Sequence, residues 1–123
     1  MAKKKILIVD DEQSITKLLK FVLEKTGLYE VSGENEVAKA LTTIRSTKPD
    51  LLILDVNMPE TNGAEIAGIL QQDPSLRSLP IVFLTGNVSD EEAAEGVKIG
   101  GHPALGKPIN MERLLECIEK SFQ

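Results

Sequence analysis

Acidic residues stand directly after two apolar runs in this chain. Asp10 and Asp11 follow the run at residues 6–9, and Asp55 follows the run at residues 51–54. Runs of this length and composition are typical of strands that are buried on both faces. If the two strands lie parallel, three carboxylates meet at one edge of a sheet, where their mutual repulsion calls for a cation. The sequence therefore predicts a cation site at this edge.

Two further apolar runs end in residues with complementary chemistry. Residues 81–84 lead into Thr85, and the segment through Leu105 leads to Lys107. A hydroxyl and an ammonium group beside three acids suit the handling of a phosphoryl group, because such transfer depends on positioning and charge stabilisation. The pattern indicates phosphoryl chemistry at the carboxyl ends of several strands.

Each of these residues also has a structural interpretation. Asp10 and Asp11 could cap the first helix. Thr85 could be a strand-end turn residue, and Lys107 could be a solvated loop side chain. The single histidine, His102, precedes a proline, and we interpret it as structural or exposed rather than as a ligand. The functional interpretation depends on the joint arrangement, since four separate strand ends would have to supply suitable chemistry by accident.

The composition argues against several classes of function. The chain has 123 residues, a formal net charge of -5, no tryptophan and one tyrosine. An acidic surface with few stacking rings disfavours direct nucleic-acid binding. No apolar stretch has the length of a signal peptide core or of a membrane span. The single cysteine, Cys117, allows no intrachain disulfide, and together these features favour a cytoplasmic protein that does not enter a membrane.

Helical spacing alternates with the apolar runs in the first half of the chain. Apolar residues recur on one helical face within residues 15–23, and Gly27 stands where a helix C-cap belongs. Residues 29–32 mix polar and apolar side chains and are predicted to form an edge strand. Asn35 is placed to cap a second helix, which Pro49 ends.

The second half continues the same alternation. A helix through residues 66–70 must end near Pro74. Residues 89–92 have the spacing of a capping box and predict a helix that runs to about Ile99. Asn110 is placed to cap the last helix.

The alternation predicts an α/β fold with a doubly wound, five-stranded parallel sheet. Short connections favour parallel pairing with helices on both faces, as in the flavodoxin-like three-layer sandwich. The strand order 2-1-3-4-5 is adopted from known folds of this class. The ligand site of such a sheet lies beyond the carboxyl ends of the strands where the order reverses. With no linker or repeat, residues 1–123 are expected to form a single domain.

Four segments of the sequence resemble the receiver domains of two-component response regulators. They are Ile-Val-Asp-Asp-Glu at 8–12, Leu-Asp-Val-Asn-Met-Pro at 54–59 with Gly63, Phe-Leu-Thr-Gly at 83–86, and Lys-Pro at 107–108. Each segment alone is weak, but in this order, each closing a strand, they are highly specific. The resemblance covers essentially the whole chain. It implies a phosphoacceptor of a two-component phosphorelay, which is no enzyme beyond its own phosphotransfer and dephosphorylation.

The resemblance assigns a role to each residue that would handle the phosphoryl group. Asp55 would accept it from a phosphohistidine of a sensor histidine kinase or a histidine phosphotransfer protein. Lys107 and Thr85 would stabilise the phosphoryl oxygens. The backbone at Asn57 and Gly86 would complete the cradle. Receivers act on a downstream effector protein or a fused output domain, and they often form homodimers through the last two helices and the strand between them.

The resemblance also implies a Mg²⁺ cofactor. The carboxylates of Asp11 and Asp55 and the backbone carbonyl of Asn57 would hold the ion, with Asp10 acting through a bound water. A hard ion that keeps several waters suits a site with few carboxylates plus phosphate oxygens.

Ala104 departs from the family pattern. Receivers commonly have an aromatic residue three positions before the lysine, and its ring moves inward when the threonine approaches the phosphoryl group. Alanine cannot make this movement. Two outcomes are therefore left open. Activation could displace the loop at residues 85–89, or the domain could be an interaction module or a phosphate sink without the usual aromatic switch.

The alternative interpretation as an enzyme is a phosphatase of the haloacid dehalogenase type. It also uses a strand-end Asp nucleophile with Mg²⁺, but it needs a second Asp two residues later. Glu12 follows Asp10 at that spacing, and Asn57 follows Asp55. These residues disfavour the phosphatase interpretation.

Overall fold

A computed structural model describes residues 3–59, 61–86 and 98–123 of the chain. These residues form a six-stranded sheet with helices on both faces. The spatial order of the strands is β2-β1-β3-β4-β6-β5. All neighbours are parallel except β5 and β6, which are antiparallel. The strands are β1 (Lys4–Val9), β2 (Tyr29–Glu34), β3 (Leu51–Asp55), β4 (Ile81–Thr85), β5 (Lys98–Ile99) and β6 (His102–Gly106).

Two helices cover each face of the sheet in the described ranges. Helices α1 and α4 pack on one face, and α2 and α3 pack on the other. Their bounds are α1 (Gln13–Lys25), α2 (Ala40–Thr47), α3 (Gly63–Gln71) and α4 (Met111–Ser121), and a 3₁₀ turn (Val37–Lys39) precedes α2. None of these helices combines the length and apolar character needed to cross a membrane.

The central strands are buried on both faces, as their continuous apolar runs predict. All five residues of β3 and all five of β4 are buried. Each leucine or isoleucine buried in this way contributes about 1.5–3 kcal/mol of transfer free energy. The predicted parallel sheet and its order are confirmed for β2, β1, β3, β4 and β6, with β6 in the place of the predicted fifth strand. The structure adds a sixth strand to the five predicted, the two-residue β5, which is antiparallel to β6.

Helix ends follow the local sequence at several positions. Gly27, directly after α1 and its C-cap residue, has a φ of 76°, which favours glycine. The side chain of Asn110 accepts a hydrogen bond from the backbone N–H of Arg113, as a cap of α4 should. Asn62 caps α3 in the same way by accepting from Ala64, a cap that the sequence pattern did not predict.

The predicted helix cap at Asn35 is wrong. The Asn35 side-chain amide instead donates to the backbone carbonyl of Asp10 at 2.8 Å and to the Thr16 hydroxyl at 3.0 Å. The following 3₁₀ turn begins after Glu36 with no side-chain cap. Asn35 therefore joins the end of β2 to the loop after β1 instead of starting a helix.

A tight hairpin replaces the predicted end of the helix after β4. Strands β5 and β6 are joined by Gly100 and Gly101, whose φ values are 57° and 86°. Two successive positive φ angles are what a two-residue type I′ turn requires, and glycine adopts them without strain. The helix end predicted near Ile99 is wrong, because Ile99 pairs with His102 in a strand. The predicted start of that helix, at residues 89–92, lies outside the described residues.

Candidate functional site

Four neighbouring strands end together at one edge of the sheet. In the sheet register, Val9 of β1 is level with Leu54 of β3, so the next residues, Asp10 and Asp55, follow side by side. Thr85 ends β4 opposite Gly106 at the end of β6. The strand order reverses between β1 and β3, where the fold class places its ligand sites.

Asp10 and Asp55 are held in matching ways. Both side chains are buried, with exposed fractions of 0% and 1%. Oδ1 of Asp10 accepts the backbone N–H of Glu12 at 2.9 Å, and Oδ1 of Asp55 accepts that of Asn57 at 3.1 Å. In each case the donor lies two residues further along the chain. One oxygen of each carboxylate is thereby fixed, and the other is left to face the site.

Lys107 lies between these carboxylates. Its Nζ atom is 3.1 Å from Oδ2 of Asp10 and 3.3 Å from both Oδ2 of Asp55 and Oε1 of Glu12. The backbone N–H of Lys107 donates to the carbonyl of Thr85 at 2.9 Å, which extends the pairing of β4 with β6 by one bond. The ammonium is therefore positioned by the end of the sheet itself.

Burial and neighbouring negative charge raise the pKa values of the two buried carboxylates. Burial raises the pKa of Asp55 to about 6, with the charge of Asp10 acting in the same direction and the Asn57 N–H and Lys107 opposing it. Burial also raises the pKa of Asp10. The pKa of Lys107 is raised overall, since its contacts with Asp10 and Asp55 outweigh the effect of burial, which lowers it.

The three acids form a candidate cation site. Asp10, Asp11 and Asp55 each offer one carboxylate oxygen, and these oxygens lie within 4.8 Å of one another. Oδ2 of Asp10 and Oδ2 of Asp55 are buried and accept no hydrogen bond from the described residues. Asp11 is exposed and lines an open cleft of about 560 Å³ with Asn57 and the loop that follows it. Carboxylate oxygens of this kind fit a hard cation such as Mg²⁺.

Asn57 and Thr85 connect the ends of β3 and β4. The side-chain amide of Asn57 donates to the Thr85 hydroxyl at 3.3 Å. Thr85 is 3% exposed. Gly86 follows it directly and is exposed at the same edge. The hydroxyl therefore lies on the strand next to Asp55, in contact with the loop that follows Asp55.

Gly63 allows α3 to begin against the backbone of the site. A Cβ atom at this position would lie 2.3 Å from the carbonyl oxygen of Asp55 and 3.1 Å from Cα of Val56. Only glycine permits this approach without a backbone shift. The start of α3 thus fixes the chain directly after Asp55.

The space around Ala104 contains aromatic rings from other positions. Ala104 is 2% exposed and pairs with Phe83 of β4. The ring of His102 meets the Phe83 ring edge-on, with centroids 6.0 Å apart and an interplanar angle of 66°. This contact supports the structural interpretation of His102. Phe83 and Ala104 belong to the same buried cluster on this face of the sheet.

The predicted residues therefore meet in one place. Lys107 contacts both Asp10 and Asp55, Asp11 lies beside them, and Asn57 reaches Thr85. The contact between Asn57 and Thr85 thus joins two predicted site residues. Glu12 is the residue that sequence reasoning left without a role, because its partner Lys107 is 95 positions away and no local pattern shows the contact.

Comparisons with known proteins identify the family of this chain. A family model described as the response regulator receiver domain matches residues 6–119. The chain is 36% identical over 107 residues to the alkaline phosphatase synthesis transcriptional regulatory protein PhoP of Bacillus subtilis, covering 87% of this chain and 43% of PhoP. It is 33% identical to the polar-differentiation response regulator DivK of Brucella anthropi, covering 94% of each.

Solved structures show the same fold. The chemotaxis response regulator CheY4 of Vibrio cholerae superposes with a TM-score of 0.82 at 32% identity, over 98% of this chain and 99% of that one. The chain spans about half or less of the length of several regulatory proteins that it matches. With its strand-end carboxylates, its lysine and its match to the family model, the chain belongs to the receiver domains of two-component response regulators.

Proposed function

We propose that residues 1–123 form a single receiver domain that accepts a phosphoryl group on Asp55. The donor would be a phosphohistidine on a sensor histidine kinase or a histidine phosphotransfer protein. The observation that carries the proposal is the state of the Asp55 carboxylate. It is buried, one oxygen is fixed by the Asn57 N–H, and the other faces the Lys107 ammonium without accepting a hydrogen bond.

The transfer needs one bond to form and one to break. Oδ2 of Asp55 attacks the phosphorus, the P–O bond forms, and the P–N bond to the donor imidazole breaks with its electron pair left on nitrogen. With a pKa of about 6, Asp55 is mostly ionised at neutral pH, as a nucleophile must be. Lys107 stabilises the negative charge on the phosphoryl oxygens during transfer.

Asp11, Asp55 and the backbone carbonyl of Asn57 would hold Mg²⁺, and Asp10 would act through a bound water. The ion would supply positive charge that lets a phosphoryl dianion approach a cluster of carboxylates. The fit rests on the convergent carboxylate oxygens and on the two buried oxygens that accept no hydrogen bond.

Thr85 links phosphorylation to signalling in this proposal. Its hydroxyl can donate to a phosphoryl oxygen on Asp55, and this movement would give up the bond from Asn57. The backbone N–H groups at Asn57 and Gly86 would complete the phosphoryl cradle. The expected displacement of the loop at residues 85–89 involves positions beyond 86 that lie outside the described residues.

A phosphate sink or interaction module is the second candidate, and Ala104 is the observation that favours it. The buried methyl group at this position cannot serve as the movable ring of other receivers. Either way, we infer a signalling module whose only chemistry is its own phosphorylation and dephosphorylation. Its output would be an effector protein or a fused domain, with homodimer formation as an option. The single cysteine suits the reducing cytoplasm.

Beryllofluoride, a stable mimic of the phosphoryl group, tests the proposal. Added with Mg²⁺, it should shift the backbone amide signals of Asn57, Gly86 and Lys107, and Asp55→Asn should abolish these shifts. Identical spectral changes in parent and Asp55→Asn would reject Asp55 as the acceptor. Changes that stop at the strand ends, with residues 87–97 silent, would favour the phosphate sink over a conformational signal.

A further inference from the structure

Glu12 contacts the lysine of the site although the proposed mechanism gives it no role. Its Oε1 atom accepts a hydrogen bond from Nζ of Lys107 at 3.3 Å. The Glu12 side chain is 54% exposed, whereas that of Lys107 is 19% exposed. The contact therefore joins a solvated carboxylate to a mostly buried ammonium.

The ammonium group of Lys107 is surrounded by carboxylates. Three carboxylate oxygens, from Asp10, Asp55 and Glu12, lie within 3.3 Å of its nitrogen, and among these three the oxygen of Glu12 is the one that accepts a hydrogen bond from it. A phosphoryl oxygen that approaches Lys107 therefore competes with these carboxylates for the ammonium.

The three carboxylates differ in what they lose when the ammonium is withdrawn. Asp10 and Asp55 are buried, and a buried carboxylate that loses its cation carries a large desolvation penalty. Glu12 is solvated and recovers hydration in place of the lost contact, so an exposed ion pair of this kind is worth little. Glu12 is therefore the partner that Lys107 can exchange at least cost.

We propose that Glu12 is a positioning residue for Lys107: it holds the ammonium at the mouth of the site and is the partner that an incoming phosphoryl oxygen displaces. This inference rests on the proposed function of Asp55. It assigns Glu12 a restraining effect, because its contact must be broken before Lys107 can bind the phosphoryl group fully.

Two substitutions at Glu12 distinguish the effect of its contact with Lys107 from the effect of its negative charge. Glu12→Gln removes the charge and weakens the contact, and Glu12→Asp keeps the charge but shortens the side chain by one methylene, so that it cannot hold Lys107 in the same way. Glu36→Gln is the matched control. Glu36 is an exposed acid that lines a neighbouring cleft with Asp11, and its ion-pair partner is Lys39 at 3.1 Å.

The experiment measures the affinity of each full-length variant for beryllofluoride in saturating Mg²⁺, by titration of amide signals. Glu12→Gln and Glu12→Asp should bind about twofold to fivefold more tightly than the parent, the range expected for loss of an exposed ion pair. Glu36→Gln should match the parent. The side-chain ammonium signal of Lys107 should move in both Glu12 variants and stay in place in Glu36→Gln.

Three results would overturn the inference. One is equal affinity in Glu12→Gln and Glu36→Gln. Another is parent-like affinity in Glu12→Asp, which would mean that Glu12 affects beryllofluoride binding through its negative charge alone. The third is weaker binding in Glu12→Gln, which would make Glu12 a productive contact instead of an exchangeable one. If the parent itself binds no beryllofluoride, the proposed function of Asp55 fails and this inference fails with it.

Discussion

The side-chain amide of Asn57 donates a hydrogen bond to the hydroxyl of Thr85 across 3.3 Å and so links the ends of two neighbouring strands beside Asp55. In the proposed mechanism, Thr85 exchanges this bond for one to the phosphoryl group. The strength of the Asn57–Thr85 bond therefore contributes to the free-energy difference between the two states of the switch.

A double-mutant cycle should detect this bond. Asn57→Ala and Thr85→Val each remove one partner, and their effects on the free energy of unfolding should be non-additive by about 0.5–1 kcal/mol, as expected for one neutral hydrogen bond. Urea unfolding of the parent, both single variants and the double variant gives the coupling. Additive effects would mean that the contact does not stabilise the protein.

The stability of the protein should depend on pH through Asp55. Its folded pKa of about 6 is above the ordinary value of 3.8, so between these values the folded state binds more protons than the unfolded state. The free energy of unfolding therefore falls as pH rises through this window and levels off above it.

Asp55→Asn removes this penalty without changing the size of the side chain. Well above pH 6, the variant should be more stable than the parent by about 3 kcal/mol, and the difference should vanish as the pH falls below 4. Urea unfolding in the presence of a metal chelator, at a series of pH values, measures it. A difference that grows as the pH is lowered would contradict the raised pKa of Asp55.

Gly63 should tolerate no side chain. In Gly63→Ala the new Cβ meets the Asp55 carbonyl, and because the atoms it meets belong to the backbone, the protein should lose about 1–3 kcal/mol of stability or more. The shift should also reduce phosphoryl uptake at Asp55. Gly68 lies in the same helix, where an added Cβ would have nothing within 4 Å, and Gly68→Ala should stabilise by about 0.5–1 kcal/mol. Equal effects of the two substitutions on unfolding would be inconsistent with the close approach at Gly63.

An aromatic ring at position 104, in place of Ala104, should change partner binding more than phosphoryl uptake. The position is buried against Phe83, so Ala104→Tyr should cost about 1–3 kcal/mol through overpacking or turn its ring outward. The ring lies outside the phosphoryl-binding contacts, and uptake from a small donor should persist while partner binding changes. Ala104→Val serves as the control that adds volume without a ring. Loss of uptake in the tyrosine variant alone would tie position 104 to the chemistry.

The predicted fold and the position of the site came from local patterns. Short apolar runs specify buried strands, and parallel pairing brings their carboxyl ends to one edge, so the neighbourhood of Asp10 and Asp55 could be foreseen from spacing. The cap at Gly27 could be foreseen for a similar reason, since a left-handed residue after a helix favours glycine.

Contacts between distant segments could not be foreseen in this way. Asn35 has the right type for a cap, but a carbonyl after β1 and the Thr16 hydroxyl compete for its side chain. The hairpin at Gly100 and Gly101 has a local signal, which is the glycine pair. Strand propensity alone, however, indicates only that such a pair weakens a strand. The contact of Glu12 with Lys107 has no local signal, because it depends on how the ends of β1 and β6 lie relative to one another in the sheet.

The central claim is that Asp55 is the phosphoacceptor, and mass spectrometry of the intact protein tests it most directly. After incubation with acetyl phosphate and Mg²⁺, the parent should gain the mass of one phosphoryl group. Chelation of the metal or the Asp55→Asn substitution should prevent the gain, while Glu36→Gln should leave it intact. A parent that gains no phosphoryl group, or an Asp55→Asn variant that gains one as readily as the parent, would contradict the claim.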